Sequence, residues 1–274
     1  MIHLGVPLTS RVNGITCSGR PFYAGLMSDI TVLPEQGQRP SLSYRIDYRP
    51  SFALATIQLS EGAAIKTDSG AMVSMTPNLE LQSKMEGGLW GAVKRNVAGR
   101  TSFVSTYTSQ GGQGELTLAP AAPGDIVPLG LDGEAYNIAS SCFLACEPEL
   151  EVDTQWGGAK SLFGSGNLFV VQVRGSGLQL VTAFGALHRR DLRAGERYVV
   201  DTGHMVAWHA EMPYEIHKAT KSLFRSVTSG ELLVAEFTGP GSILLQTRNL
   251  RALADALAPY LPKPSSGSSI DTGD

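Results

Sequence analysis

Three stretches of this chain carry the same landmarks in the same order, and that repetition constrains the fold more than any single motif does. A turn ending in glycine stands at Glu61-Gly62, Asp132-Gly133 and Ala194-Gly195, and a hydroxyl residue follows seven positions after each glycine, at Ser69, Ser140 and Thr202. Three residues further on comes a bulky apolar side chain, Met72, Phe143 or Met205, followed by Val73, Leu144 or Val206. An acid between apolar neighbours comes next, as Glu80, Glu151 and Glu215. A glycine triplet then follows in each copy: Gly112-Gln113-Gly114, Gly175-Ser176-Gly177 and Gly239-Pro240-Gly241. Ser69 and Ser140 are 71 residues apart and Ser140 and Thr202 are 62 apart, a period of about 65.

Between these landmarks the chain has strand character. Residues 102–107, 168–173 and 232–237 are short runs bounded by glycine turns, and period-two alternation such as Leu116 and Leu118, or Leu178 and Leu180, buries one face of a pleated strand. Asp132-Gly133, lying between apolar runs at 126–131 and 135–138, predicts a hairpin because both residues tolerate positive φ. A unit of about 65 residues buries little surface by itself, whereas three copies covering one another's edge strands gain a core and protect those edges. Composition agrees, with 31 glycines in 274 residues and only 17% charged residues, so turns are many and helical surface is scarce. One helix is predicted: Asn249 caps a segment whose Leu250, Leu253, Ala254 and Leu257 share a face, and Pro259 ends it. The expected organisation is an N-terminal extension and linker over 1–42, with 33–40 as linker. Three β units follow at 43–119, 120–181 and 182–248, then the helix at 249–262 and a disordered Ser/Gly-rich tail at 263–274.

Several function classes lose support on composition and motif. A net charge of -3 and a pI near 6.0 lack the basic excess of a dedicated nucleic-acid binder. The cations, among them Arg189, Arg190, Arg193 and Arg197, fall in loops without interleaved aromatic residues on which bases stack, which argues against a nucleic-acid partner. Cys17, Cys142 and Cys146 are an odd count without a Cys-x-x-Cys pair, so neither a disulfide framework nor a structural zinc site is indicated, and Cys142 and Cys146 read as core. The N-terminal residues lack a signal-peptide pattern, and no stretch reaches about 18 consecutive apolar residues. The expectation is a cytoplasmic chain, peripheral at most to a membrane. No nucleophile elbow, Walker loop or dinucleotide fingerprint occurs, so neither an enzyme nor a cofactor is expected.

Two groups of side chains are candidates for chemistry or contact. His204, His209, Glu211 and His217 are metal-ligand types, but there is no His-x-His pair, and the odd spacing of His204 and His209 puts their rings on opposite faces of a straight strand. No metal site is therefore expected. The second group is the apolar pair in each long loop: Leu89-Trp90, Leu162-Phe163 and Leu223-Phe224. In the first loop Leu89, Trp90 and Val93 stand beside Lys94 and Arg95 among small residues, the composition of a segment docking on a protein partner or an anionic membrane surface. The competing reading is that these aromatics bury themselves between neighbouring units.

Five motifs carry a family resemblance: Arg49-Pro50-Ser51-Phe52-Ala53, Ser69-Gly70-Ala71-Met72-Val73, Pro123-Gly124-Asp125-Ile126, Asp201-Thr202-Gly203-His204, and Gly239-Pro240-Gly241 continuing to Gln246-Thr247-Arg248-Asn249. On these, residues 43–261 resemble the altered inheritance of mitochondria family and its bacterial relatives. The resemblance implies an all-β fold of three tandem units plus a short C-terminal helix. Each unit would be a short double-stranded β-helix like a subunit of the tryptophan-RNA-binding attenuation protein, abbreviated TRAP. It also implies a homotrimer, nine units in a ring. It brings no established catalytic activity, and links the mitochondrial members to inner-membrane organisation. The expected function is a non-enzymatic assembly or scaffold protein, with a small-ligand or RNA-binding module on a TRAP-like ring as the alternative.

Overall fold

The computed structural model describes residues 29–82, 104–153, 170–218 and 233–261, and these form nineteen strands and one α-helix. The first three strands are β1 (Thr31–Val32), β2 (Gln36–Gln38) and β3 (Leu42–Asp47). Within residues 33–40, expected to be linker, Gln36–Gln38 instead form β2 and pair with β3, and just before that range β1 pairs with a later strand at Gly130 and Leu129. The reason is local. Backbone pairing at a sheet edge needs no apolar alternation, and Gly37 lacks the Cβ that would lie 2.7 Å from the Tyr44 hydroxyl oxygen packed over it. That hydroxyl donates to the Pro34 carbonyl at 3.1 Å.

Three long antiparallel ribbons follow. In the first, β4 (Leu54–Leu59) and β5 (Ala64–Asp68) run out, β6 (Met72–Met75) and β7 (Leu79–Gln82) cross, and β8 (Val104–Ser109) and β9 (Gly114–Leu118) return, so that β5 pairs with β8 and β4 with β9. In the second, β10 (Gly124–Ala139) runs out unbroken, β11 (Phe143–Cys146) and β12 (Glu151–Asp153) cross, and β13 (Val170–Phe184) returns along the whole of β10. The third has β14 (Leu187–Leu192), β15 (Arg197–Asp201), β16 (Met205–His209), β17 (Tyr214–Lys218), β18 (Leu233–Thr238) and β19 (Gly241–Gln246), with β14 on β19 and β15 on β18.

The hairpin predicted at Asp132-Gly133 does not form. Gly133 has φ +94°, as a hairpin turn would allow, but the chain uses it for a register shift between Asp132 and Ala135 inside β10, which continues in the same direction. Gly62 and Gly195, with φ of +76° and +75°, stand where β4 passes into β5 and β14 into β15. Each ribbon also receives its own crossing strand with one irregularity. Pairing shifts between Met72 and Ser74 on β9, between Phe143 and Ala145 on β13, and between Met205 and Ala207 on β19.

The strands fall into sheets of eleven, five and three. The eleven-stranded sheet runs β14-β19-β16-β10-β13-β11-β5-β8-β7, with β1 and β12 attached beside this path. The five-stranded sheet is β2-β3-β4-β9-β6 and the three-stranded one β15-β18-β17. Burial is concentrated in three apolar clusters, one around Ile57, Leu116 and Leu180, one around Ile138, Val173 and Val181, and one around Trp208, Phe237 and Met205. In the last, Trp208 meets Tyr214 edge-on at 5.2 Å and Phe237 at 5.7 Å. Helix α1 (Leu250–Leu257) starts as predicted, with the Asn249 side chain accepting from the Arg251 and Ala252 amides. No helix among the described residues is long and apolar enough to cross a membrane.

Cys142 and Cys146 are buried, as their reading as core requires, and burial pushes both thiols up to about 12. Both are therefore protonated at pH 8, and the thiolate, which is the reactive form, is absent. Iodoacetamide at pH 8 is expected to leave Cys142 and Cys146 unmodified in native protein and to label both in urea, as peptide mass spectrometry would read; labelling of either without denaturant would contradict this burial.

Candidate functional site

Two of the sequence motifs meet in an ion pair whose carboxylate is buried and whose arginine is half-buried. Asp125, 2% exposed, lies near the start of β10 and accepts from Arg49 Nε at 2.6 Å, Arg49 Nη2 at 2.9 Å and the Ile126 amide at 2.9 Å. Glu35 takes Arg49 Nη1 at 3.0 Å, and the hydrogen bond with Asp125, ahead of any other cause, holds the Arg49 guanidinium above its usual pKa. A planar fork matched to a carboxylate is the arrangement in which arginine is hardest to replace. The pair anchors the loop leading to β4, and the loop presents Tyr48 and Phe52 to solvent.

A cleft of about 720 Å³ opens where the third ribbon lies against the second. Its walls are the Asp132-Gly133-Glu134 bend, Gln172 and Arg174 on β13, and His209 and Glu211 at the end of β16. Its polar groups are largely bonded to one another. Arg174 Nη2 donates to Gln172 Oε1 at 2.7 Å, Gln172 Nε2 to Asn137 Oδ1 at 3.2 Å, and the Glu134 carboxylate accepts from the Asp132 amide at 2.6 Å and the Tyr136 hydroxyl at 3.3 Å. His209 is buried and its Nδ1 accepts from the Glu211 amide at 3.2 Å.

The four candidate ligands are not brought together as a metal site. His204 Nδ1 contacts the Gln246 carbonyl at 2.7 Å, His209 and Glu211 face the cleft, and His217 lies 3.4 Å from Glu215 on β17. Among the described residues, no group of three or more His, Cys, Asp or Glu could hold a metal ion. The contact-loop candidates Leu89, Trp90, Val93, Lys94, Arg95, Leu162, Phe163, Leu223 and Phe224 lie outside the described residues.

Sequence reasoning missed the most exposed apolar strand among the described residues. β6 is the end strand of the five-stranded sheet, and Met72, Val73 and Met75 are 41%, 57% and 40% exposed. The strands at matching landmark positions, β11 and β16, are buried throughout. β15 ends the three-stranded sheet, with Val199 exposed at 40%. Helix α1 likewise turns Leu250, Leu253 and Leu257 outward.

The mitochondrial biogenesis AIM24 family model matches residues 44–248. An uncharacterized protein of Streptococcus pyogenes serotype M6 is 33% identical over 232 residues, spanning 82% of this chain and 93% of its own. A crystal structure of a Streptococcus pyogenes protein, also 33% identical, aligns with a TM-score of 0.67 over 80% of this chain and 100% of that one.

Removing the Arg49 guanidinium leaves Asp125 buried without its counter-charge, so Arg49→Met is expected to destabilise the fold by about 3–5 kcal/mol. Urea unfolding reads this, and Arg49→Met with Asp125→Leu should recover much of the loss, since two apolar groups leave no orphaned charge. A double variant as unstable as the single one would contradict the assignment.

Proposed function

The chain belongs to the mitochondrial biogenesis AIM24 family, and on that premise we propose that it is a non-enzymatic assembly or scaffold protein. It comprises three TRAP-like β units over residues 43–119, 120–181 and 182–248 and works as a homotrimer. The observation that carries this reading is the apolar edge strand β6, open in a chain whose strands at matching positions are covered. An edge of that kind in a stable soluble protein calls for a partner.

Two further observations favour assembly over the other readings. The polar groups of the one cleft described above are engaged with one another rather than poised toward an incoming substrate. RNA binding has less support, because Arg190 donates to Glu196 at 2.6 Å, Arg189 is bonded to Asp191 at 2.8 Å and Arg197 is bonded to Glu236, which leaves these cations neutralised locally. A peripheral membrane contact draws on the outward leucines of α1 and on the sequence of the loop bearing Trp90, Lys94 and Arg95.

Sedimentation equilibrium is expected to give three times the 29.1 kDa chain mass at micromolar concentration; a concentration-independent monomer would refute the assembly reading. For the membrane contact, wild-type protein is expected to float with anionic liposomes at low salt and to be released at high salt, since attraction of basic residues to the surface is screened. Trp90→Ala and Leu253→Glu should each weaken flotation. Absence of wild-type flotation at low salt would remove the membrane and leave assembly by protein contacts.

A further inference from the structure

Two seams between ribbons are formed inside the chain, and both use the same register. At the first, β11 lies antiparallel to β5 with Ala145 opposite Thr67 and Cys146 opposite Lys66. At the second, β16 lies antiparallel to β10 with Ala207 opposite Ile138 and Trp208 opposite Asn137. Counted from the hydroxyl landmarks, Ala145 stands five residues after Ser140 and Ala207 five after Thr202, while Thr67 stands two before Ser69 and Ile138 two before Ser140. The same crossing-strand position therefore meets the same outgoing-strand position both times.

That rule leaves one strand of each kind over. β6 is the crossing strand of the first ribbon, and among the described residues it pairs with β9 alone. β15 is the outgoing strand of the third ribbon, and among the described residues it pairs with β18 alone. The exposure of the two follows suit. Met72, Val73 and Met75 are open to solvent, whereas their counterparts Phe143, Leu144 and Cys146, and Met205, Val206 and Trp208, are buried.

We propose that a second copy of this chain covers β6 with its β15, antiparallel, with Ser74 of one copy opposite Val200 of the next and Met75 opposite Val199. The joint continues the two seams already present in cis, and it would bring two exposed apolar side chains, Met75 and Val199, to neighbouring positions. It rests on the assembly reading above and specifies the surface through which copies join. The contact is head to tail: each copy offers β6 on one side and β15 on the other, so it closes into a ring when the rotation between copies allows.

The test is disulfide trapping in full-length protein carrying Cys17→Ser. Directly opposed strand residues fall within the Cα separation that a disulfide tolerates, and residues two places out of register do not. Met75→Cys with Val199→Cys is expected to give covalent dimers and trimers on a non-reducing gel after mild oxidation, reversed by reductant. Met75→Cys with Arg197→Cys, two residues out of register, should stay at monomer mass. Sedimentation of the same samples separates the two levels of the argument. An oligomer that forms but yields no Met75–Val199 cross-link overturns this joint and leaves assembly standing, while a monomer overturns both. A cross-link confined to monomer mass also overturns the joint, because β6 and β15 would then meet within one chain. As a second variant, Val73→Lys with Met75→Lys is expected to dissociate the oligomer with the β-sheet circular dichroism unchanged; an intact oligomer would count against the joint.

Discussion

The constraint on which this fold depends is that a strand edge cannot be left bare. Each edge is a row of backbone donors and acceptors, and an apolar one invites pairing with whatever arrives. Of the strands that open each crossing, β6, β11 and β16, the last two meet this constraint inside the chain. β11 is held between β13 and β5, and β16 between β19 and β10. Covering them buries Phe143, Leu144, Met205 and Val206, and full burial of such side chains is worth roughly 1.5–3 kcal/mol each. The seams thus fasten one ribbon to the next while their strands supply part of the core.

Polar groups at equivalent landmark positions complete those seams with different chemistry. Glu147 stands seven residues after Ser140 and His209 seven after Thr202, each just inside its seam and each buried. Glu147 is fixed by the Leu178 amide at 2.6 Å and by Arg39 at 3.2 Å. His209 is held by the Glu211 amide and packs against Tyr136 with ring centroids 6.0 Å apart. A buried carboxylate needs a counter-charge, which Arg39 supplies from the N-terminal segment, whereas His209 is held by a backbone amide and a ring contact. The first seam thus ends in an ion pair, and the second ends at the open cleft.

Much of this architecture is legible in the sequence, for identifiable reasons. Positive-φ glycines, the Asn249 cap and the buried cysteines all act through a residue's own backbone or its own side chain. Three features were not legible, because each depends on what stands opposite. Gly133 has the conformation of a hairpin turn, yet nothing in Asp132-Gly133 says whether the chain reverses or bends onward along β13. Residues 36–38, Gln-Gly-Gln, join a sheet through their backbone and so leave no pattern in their side chains. Met72-Val73-Ser74-Met75 is as apolar as Phe143-Leu144-Ala145-Cys146, and what distinguishes the exposed strand from the buried one is that β11 has β5 beside it, whereas among the described residues β6 pairs with β9 alone.

The other sheet ends show why β6 stands apart. β14 carries Arg189, Arg190 and Asp191, β17 carries Glu215, His217 and Lys218, and β7 carries Glu80, while β2 is glutamine and glycine. Charged and polar side chains of this kind are the usual protection of an edge, because bringing a second strand alongside would strip them of water. β6 has no charge at all, and β15 places Tyr198, Val199 and Val200 between its Arg197 and Asp201 ends. Two seams of one register join the three described ribbons, and they leave β6 and β15 without a seam partner among the described residues. Protecting both by charge would forbid association, and protecting neither would expose the protein to aggregation unless the two ends meet. These two are the apolar β6 and the apolar-centred β15, so the distribution of charge along the described edges and the shared register of the seams point to the same pair of strands.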